Sequence, residues 1–115
     1  MFIVERKISL KQIEDLEPSI FSDMVKGVAD IQKEIIAIHS DMHADCEALL
    51  LDNGSLQENL VGFNIYYDGE IELDSNINPP VNKRLGYPRA GRLITDPEMC
   101  AKVEGIIRKW VDIDV

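Results

Sequence analysis

The sequence lacks the features that mark disulfide-rich, zinc-knuckle, membrane-spanning and secreted proteins. Only two cysteines, Cys46 and Cys100, occur among its 115 residues, and their spacing suits neither a disulfide framework nor a zinc knuckle. No apolar run approaches the roughly 20 residues that cross a bilayer. The first residues lack the long apolar stretch of a signal peptide. We therefore expect a cytoplasmic protein with free thiols and no membrane contact.

Motifs of the common enzyme classes are also missing from the sequence. It contains no H-E-x-x-H or C-x-x-C, no G-x-S-x-G elbow, no Walker loop and no G-x-G-x-x-G. A nucleophilic pair of Cys46 and His43 is improbable, because the two side chains face opposite sides of an extended segment. Glu72 and Asp74 suit acid–base chemistry, but they are equally typical of a hydrated sheet surface. The sequence assigns no catalytic residue.

Charge is unevenly distributed along the chain. There are 12 Lys and Arg against 21 Asp and Glu, a formal charge of −9, which argues against bulk nucleic-acid binding. Residues 75–95 nevertheless contain four Lys or Arg and no acidic residue. With 45% hydrophobic and 29% charged residues, the composition is that of an ordinary globular chain. We expect one domain over residues 1–115.

Three helices are predicted from periodicity and capping signals. Ser9 and Gln12 have the capping-box spacing before a helix over 10–16. Apolar residues three or four apart predict a second helix from Ile20 into the low thirties. The run Thr95-Asp96-Pro97-Glu98 has the capping residue, proline and acid of a helix start. Five apolar residues then trace one helical face: Met99, Val103, Ile106, Ile107 and Trp110.

The middle of the chain has the period of strands. Residues 35–38 are rich in β-formers, 43–51 fit an extended segment, and 60–67 and 70–77 alternate around an Asp68-Gly69 turn. Residues 2–4 suit an edge strand. The predicted fold is α+β: an antiparallel meander of three to four strands with one apolar and one polar face. The N-terminal helices and the C-terminal helix pack on one face of it.

His39, His43 and Asp45 are candidate metal ligands. If the segment is extended, alternate side chains share a face, and Asn64, Glu72 and Asp74 can join them from neighbouring strands. Such a mixed nitrogen and oxygen set suits Zn²⁺, Mn²⁺ or Fe²⁺. The simpler interpretation is a solvent-facing polar surface.

A basic loop over residues 82–92 is the second candidate site. Arginine forks match phosphate and carboxylate geometry, glycines admit an anion to the backbone, and a tyrosine can stack on a base. The alternative is that these cations pair with the acidic sheet face, within the chain or across a dimer. The candidate residues are Lys83, Arg84, Tyr87, Arg89 and Arg92.

Several segments together resemble a family of small prokaryotic proteins of unknown function. They are His43–Leu51, Gly54-Ser55, Gln57–Leu60, Asn64–Tyr66 and Asp74-Ser75. The resemblance covers about residues 23–110 and implies a compact cytoplasmic domain without known catalytic residues. In that family an Asn/Arg-containing loop precedes the last helix, where this chain has its basic loop with a longer insertion over 85–88.

Two functions follow from these observations. The leading hypothesis is a non-enzymatic module without a cofactor. It associates through the basic loop with a second copy, as a dimer or other homo-oligomer, or with an anionic small molecule or RNA. The alternative is a small metal-dependent hydrolase that uses His43 and Asp45 to hold a divalent ion.

Overall fold

The computed structural model describes residues 1–16, 23–74 and 93–113, which form a mixed α+β structure. The three α-helices are α1 (Leu10–Glu14), α2 (His43–Asp52) and α3 (Pro97–Trp110), with a 3-10 turn at Gln57–Asn59. The strands are β1 (Phe2–Ile3), β2 (Ile8–Ser9), β3 (Met24–Asp30), β4 (Ile35–Ser40), β5 (Leu60–Tyr66), β6 (Ile71–Asp74), β7 (Leu93–Ile94) and β8 (Val111–Asp112). None of the helices in these ranges is long and apolar enough to cross a membrane.

Six of these strands form one antiparallel sheet in the order β1-β4-β3-β5-β6-β7. The β5–β6 hairpin turns at Gly69, whose φ of +100° explains the need for glycine there. Strands β2 and β8 form a separate parallel pair. The sheet has more strands than the predicted three to four, because β3 lies in a segment predicted as a helix and the two-residue strand β7 leaves little periodic signal.

The helix starts at Ser9 and Asp96 are confirmed. Ser9 Oγ accepts from the Gln12 backbone N at 3.0 Å, and Gln12 Oε1 accepts from the Ser9 N at 2.9 Å, which completes the capping box. Asp96 Oδ2 accepts from the Met99 N at 2.9 Å at the start of α3. The predicted face of α3 is buried against the sheet, with Trp110 half-buried at its end.

Helices cover both faces of the sheet, whereas the sequence predicted one covered face. The large core lies between the sheet and α1 and α3, and it contains the inward residues Phe63 and Ile65 of β5. A smaller core lies between the other face and α2, formed by Val28, Ala37, Cys46, Leu50 and Leu60. Helix α2 packs mainly on β4 and β3.

Two predicted elements have the opposite secondary structure. The segment predicted as a second helix contains β3, since a central strand buried on both faces has apolar residues in a near-continuous run that also matches helical spacing. The part of that prediction over residues 20–22 lies outside the described residues. The segment predicted as extended is α2, which is rich in the helix formers Ala, Leu and Glu.

A bulge between β3 and β4 bends the sheet beside α2. The register shifts between Lys26 and Gly27, and His39 opposite them has a φ of +69°. A Cβ on Gly27 would come within 2.7 Å of the Phe63 ring and 2.8 Å of the Ala37 carbonyl oxygen. Glycine is therefore required at this position so that Phe63 can lie against the backbone.

Candidate functional site around His43

A row of polar side chains crosses the sheet next to the N-terminus of α2. Strand pairing places Lys26 of β3, Asn64 of β5 and Glu72 of β6 side by side. Alternation along each strand turns these residues away from the large core and toward the α2 face. Asp74, two residues after Glu72, continues the same face. His43, in the first turn of α2, lies on this row and is only 6% exposed.

His43 joins the helix to two strands. Its Nε2 lies 2.9 Å from the Phe63 carbonyl oxygen and 3.0 Å from Asn64 Oδ1, and its Nδ1 lies 3.6 Å from Asp74 Oδ2. Both groups near Nε2 are acceptors, so Nε2 carries the proton and donates to them. The lone pair on Nδ1 then faces a carboxylate, which agrees with a separation beyond hydrogen-bond length.

Burial keeps His43 neutral. The pKa of its imidazole lies below the ordinary 6.5 mainly because burial removes water from the charged form. The Phe63 carbonyl, Asp74 and Asn64 each raise the pKa, and the Lys26 ammonium lowers it further. Desolvation is the largest effect, so His43 acts as a hydrogen-bond donor to the sheet rather than as a cation.

The start of α2 is held by Ser40 instead of by its own N-cap. Met42, the N-cap residue, makes no side-chain capping bond. Ser40 Oγ accepts from the Met42 N at 3.2 Å, and its hydroxyl donates to the Met42 carbonyl oxygen at 3.0 Å or to Asp45 Oδ2 at 3.3 Å. Asp45 also places a negative charge in the first turn, where the helix dipole favours it.

The three candidate metal ligands are not arranged as the sequence predicted. Because His43 and Asp45 are two residues apart on a helix, they do not share a face as they would on a strand. His39 lies at the bulge. Within 1–16, 23–74 and 93–113, no three His, Cys, Asp or Glu side chains meet in a group that could hold a metal ion. The metal site therefore remains a prediction that no group of side chains in these ranges supports.

Cys46 shares the buried side of α2 with His43. The two residues are three apart on a helix, so the prediction that they face opposite sides is wrong. Burial raises the pKa of the Cys46 thiol to about 12, which suppresses the reactive thiolate. Cys46 and Cys100 are both free, as predicted. Cys46 therefore contributes packing to the small core.

Two hydrogen-bonded pairs on this face were not predicted from the sequence. Asp30, 1% exposed, accepts from Ser55 Oγ at 2.6 Å and from the backbone N of Gln32 and Lys33 at 2.9 Å each. Tyr66 donates to Glu72 Oε1 at 2.7 Å, and this bond raises the pKa of Tyr66 to about 12. An aspartate that precedes a turn often accepts hydrogen bonds from the turn, so the sequence predicts the Asp30 contacts only weakly.

The basic-loop residues Lys83, Arg84, Tyr87, Arg89 and Arg92 lie outside the described residues. The two ends of the connection that carries them are described. Asp74 and Leu93 are paired across the β6–β7 ladder, so the chain leaves and re-enters the sheet at one place. Asp74 is also the residue that faces His43 Nδ1.

Comparison with known proteins identifies the family and nothing beyond it. The model of a family described as protein of unknown function (DUF5674) matches residues 2–110, and the chain belongs to that family. This confirms the predicted uncharacterised family. No curated protein matches the chain. No solved structure matches it either.

Proposed function

We propose that this chain is a non-enzymatic association module whose basic segment 82–92 binds a second copy of the chain or an anionic ligand. The observation that carries the proposal is the separation of charge along the sequence. Residues 34–74 contain ten Asp or Glu and no Lys or Arg, whereas residues 75–95 contain four Lys or Arg and no acid. Segments of opposite charge attract partners of the other sign.

The geometry at His43 supports a binding role over a catalytic one. A general base must come within hydrogen-bond distance of its substrate. The His43 side chain is 5% exposed, and its Nε2 is engaged by Phe63 and Asn64. The buried thiol of Cys46 has its pKa raised to about 12 and is a poor nucleophile. These contacts orient α2 on the sheet, and they leave the basic segment as the chemically distinctive part of the chain.

The test compares two variants with the same change in net charge. The first replaces Arg84, Arg89 and Arg92 by Ala, and the control replaces Lys102, Arg108 and Lys109 of α3 by Ala. Thermal melts are recorded with nucleotides and short RNA, and the oligomeric state is measured by light scattering. An anion at 100 times its dissociation constant adds about 2.7 kcal/mol to stability, or about 10 °C in Tm for a chain of this size.

We expect the loop variant to lose either the anion-dependent Tm shift or the oligomer, while the α3 variant keeps it. If the wild type shows neither property, or if both variants lose it equally, the proposal is wrong. The same melts with Zn²⁺, Mn²⁺ and a chelator test the hydrolase alternative. That alternative requires stabilisation by metal, and its loss in His43→Ala.

A further inference from the structure

Helix α2 leaves an unusually apolar surface in solvent. Four large apolar side chains are exposed in the described ranges: Leu51 lies in α2, Met42 is its N-cap, and Leu56 follows α2 by four residues, before the 3-10 turn. The fourth is Met1. Ala44, Ala48 and Leu51 are spaced i, i+4 and i+7, so they form one exposed stripe on the outer side of the helix. A surface helix normally presents charged residues there, and an exposed apolar surface is a common mark of an interaction site.

Acidic residues border this stripe. Asp45 and Asp52 are exposed on one flank of α2, and Glu47 is half-buried on the other. No Lys or Arg occurs anywhere between residues 34 and 74. Two α2 helices packed directly against each other would therefore bring carboxylates together, which is unfavourable. The Lys33 ammonium, which donates to the Asn53 carbonyl oxygen at 3.3 Å, is a cation at the C-terminal end of α2. A partner that carries positive charge together with apolar groups fits the rest of this surface.

The chain's own basic segment has this composition. Residues 83–92 contain Lys83, Arg84, Arg89 and Arg92, with Leu85 and Tyr87 between them and no acidic residue. Building on the function proposed above, we infer that the outer face of α2 is the docking surface for the basic segment of a second copy. Each copy carries both surfaces, so a reciprocal exchange closes a two-fold dimer without leaving either surface open.

The position of α2 leaves its exposed stripe accessible to a second copy. The connection leaves the sheet at the β6–β7 ladder, at one end of the strand order. Helix α2 packs mainly on β4 and β3, its first turn approaches the connection, where His43 Nδ1 lies 3.6 Å from Asp74 Oδ2, and its stripe points away from the sheet. The stripe faces solvent, so a second copy can approach it directly, and the oligomeric state distinguishes this contact from docking within one chain.

A charge-swap experiment tests the inference. The first variant, Glu47→Lys with Asp52→Lys, reverses the α2 surface. Asp52 is the last residue of α2, where the helix dipole favours a cation, so this change preserves the fold. The second variant, Arg84→Glu with Arg89→Glu and Arg92→Glu, reverses the segment. Each variant alone faces like charge across its own dimer, but a mixture of the two restores attraction at both contacts.

Sedimentation velocity over a range of protein and salt concentrations is the measurement. We expect a wild-type dimer that weakens with salt and a dissociation constant raised about tenfold or more in each variant alone. The equimolar mixture should recover the dimer. The control, Glu5→Lys with Asp23→Lys, changes the net charge as the α2 variant does, at exposed sites away from α2, and should dimerise like the wild type. Leu51→Gln should weaken the dimer without changing its charge.

Any one of three outcomes overturns the inference. A wild type that stays monomeric at every concentration excludes the second copy, whether or not it binds polyanions. If the segment variant is monomeric while the α2 variant still forms dimers, the basic segment associates with another surface. In that case the proposed function survives and only the assignment of α2 fails. A mixture that stays monomeric excludes the pairing of these two surfaces.

Discussion

Between the sheet and α1 and α3 the core consists of apolar side chains, whereas the buried polar residues of the described chain lie on the α2 side or at the ends of α2. These residues are Asp30, Ser40, His43, Ser55 and Asn64. Burial of apolar area is non-directional, so it does not by itself fix the helices of the large core in one orientation. Hydrogen bonds to buried groups are directional, and they hold α2 at one position. The hydrogen bonds of the buried polar residues therefore restrict the position of α2 more than apolar packing in the small core does by itself.

The largest effect is expected from the large core. Phe63 is fully buried, and Phe63→Ala should lower the free energy of unfolding by about 4 kcal/mol, since it removes a large apolar side chain and leaves a cavity. Urea denaturation followed by circular dichroism measures the change. Gly27→Ala should be destabilising in the wild type and less so when Phe63 is already Ala, because the clash with the ring is then removed while the clash with the Ala37 carbonyl oxygen remains. Equal effects in both backgrounds would contradict the proposed contact.

On the α2 side, Asp30→Ala should lower the free energy of unfolding by about 3 kcal/mol. The substitution leaves the Ser55 hydroxyl and the backbone N–H groups of Gln32 and Lys33 without their acceptor. Ser55→Ala, which removes one of these bonds, should cost about 1 kcal/mol. If Asp30→Ala costs no more than Ser55→Ala, the carboxylate does not hold the turn after β3 together.

The smallest effect is the pH dependence that His43 confers. Its pKa in the folded protein is below 6.5, so the unfolded chain binds the proton first as the pH falls. The contribution to stability is therefore complete above pH 6.5 and is lost as the pH falls below it, by at most about 1.4 kcal/mol per pH unit. His43→Gln retains a donor for the Phe63 carbonyl but does not titrate. The free energy of unfolding, obtained from denaturation curves at several pH values between 7.5 and 5.5, should change less with pH for this variant than for the wild type. Parallel pH profiles would show that His43 is not the titrating group.

The sequence predicts best where a signal is local. The capping box at Ser9, the Asp96-Pro97 helix start and the Asp68-Gly69 turn each involve residues within four positions, and all three occur as predicted. It predicts worst for β3 and α2. The apolar residues of β3 satisfy helical and strand spacing equally, because both faces of a central strand are buried. The segment of α2 has polar residues at alternate positions by coincidence, and the helix propensity of its Ala and Leu residues prevails.

The candidate site was predicted in its parts but not in its arrangement. His43 and Asp74 were both singled out, yet their proximity depends on α2 crossing the sheet next to β6. Asn64 was considered as a possible neighbour, and it does contact His43. The Phe63 carbonyl and Ser40 are invisible to motif reasoning, because backbone acceptors and short hydroxyl side chains carry no spacing signature.

By itself the sequence determined the mixed α+β class, the starts of α1 and α3, the β5–β6 hairpin and the separation of acidic from basic residues, since each depends on neighbours along the chain. Only the tertiary structure decided that α2 is a helix on the second face of the sheet and that His43 is buried and neutral. Those outcomes depend on which residues meet across the sheet. Contacts between residues distant in sequence, such as those that remove water from His43, leave no pattern in the order of amino acids.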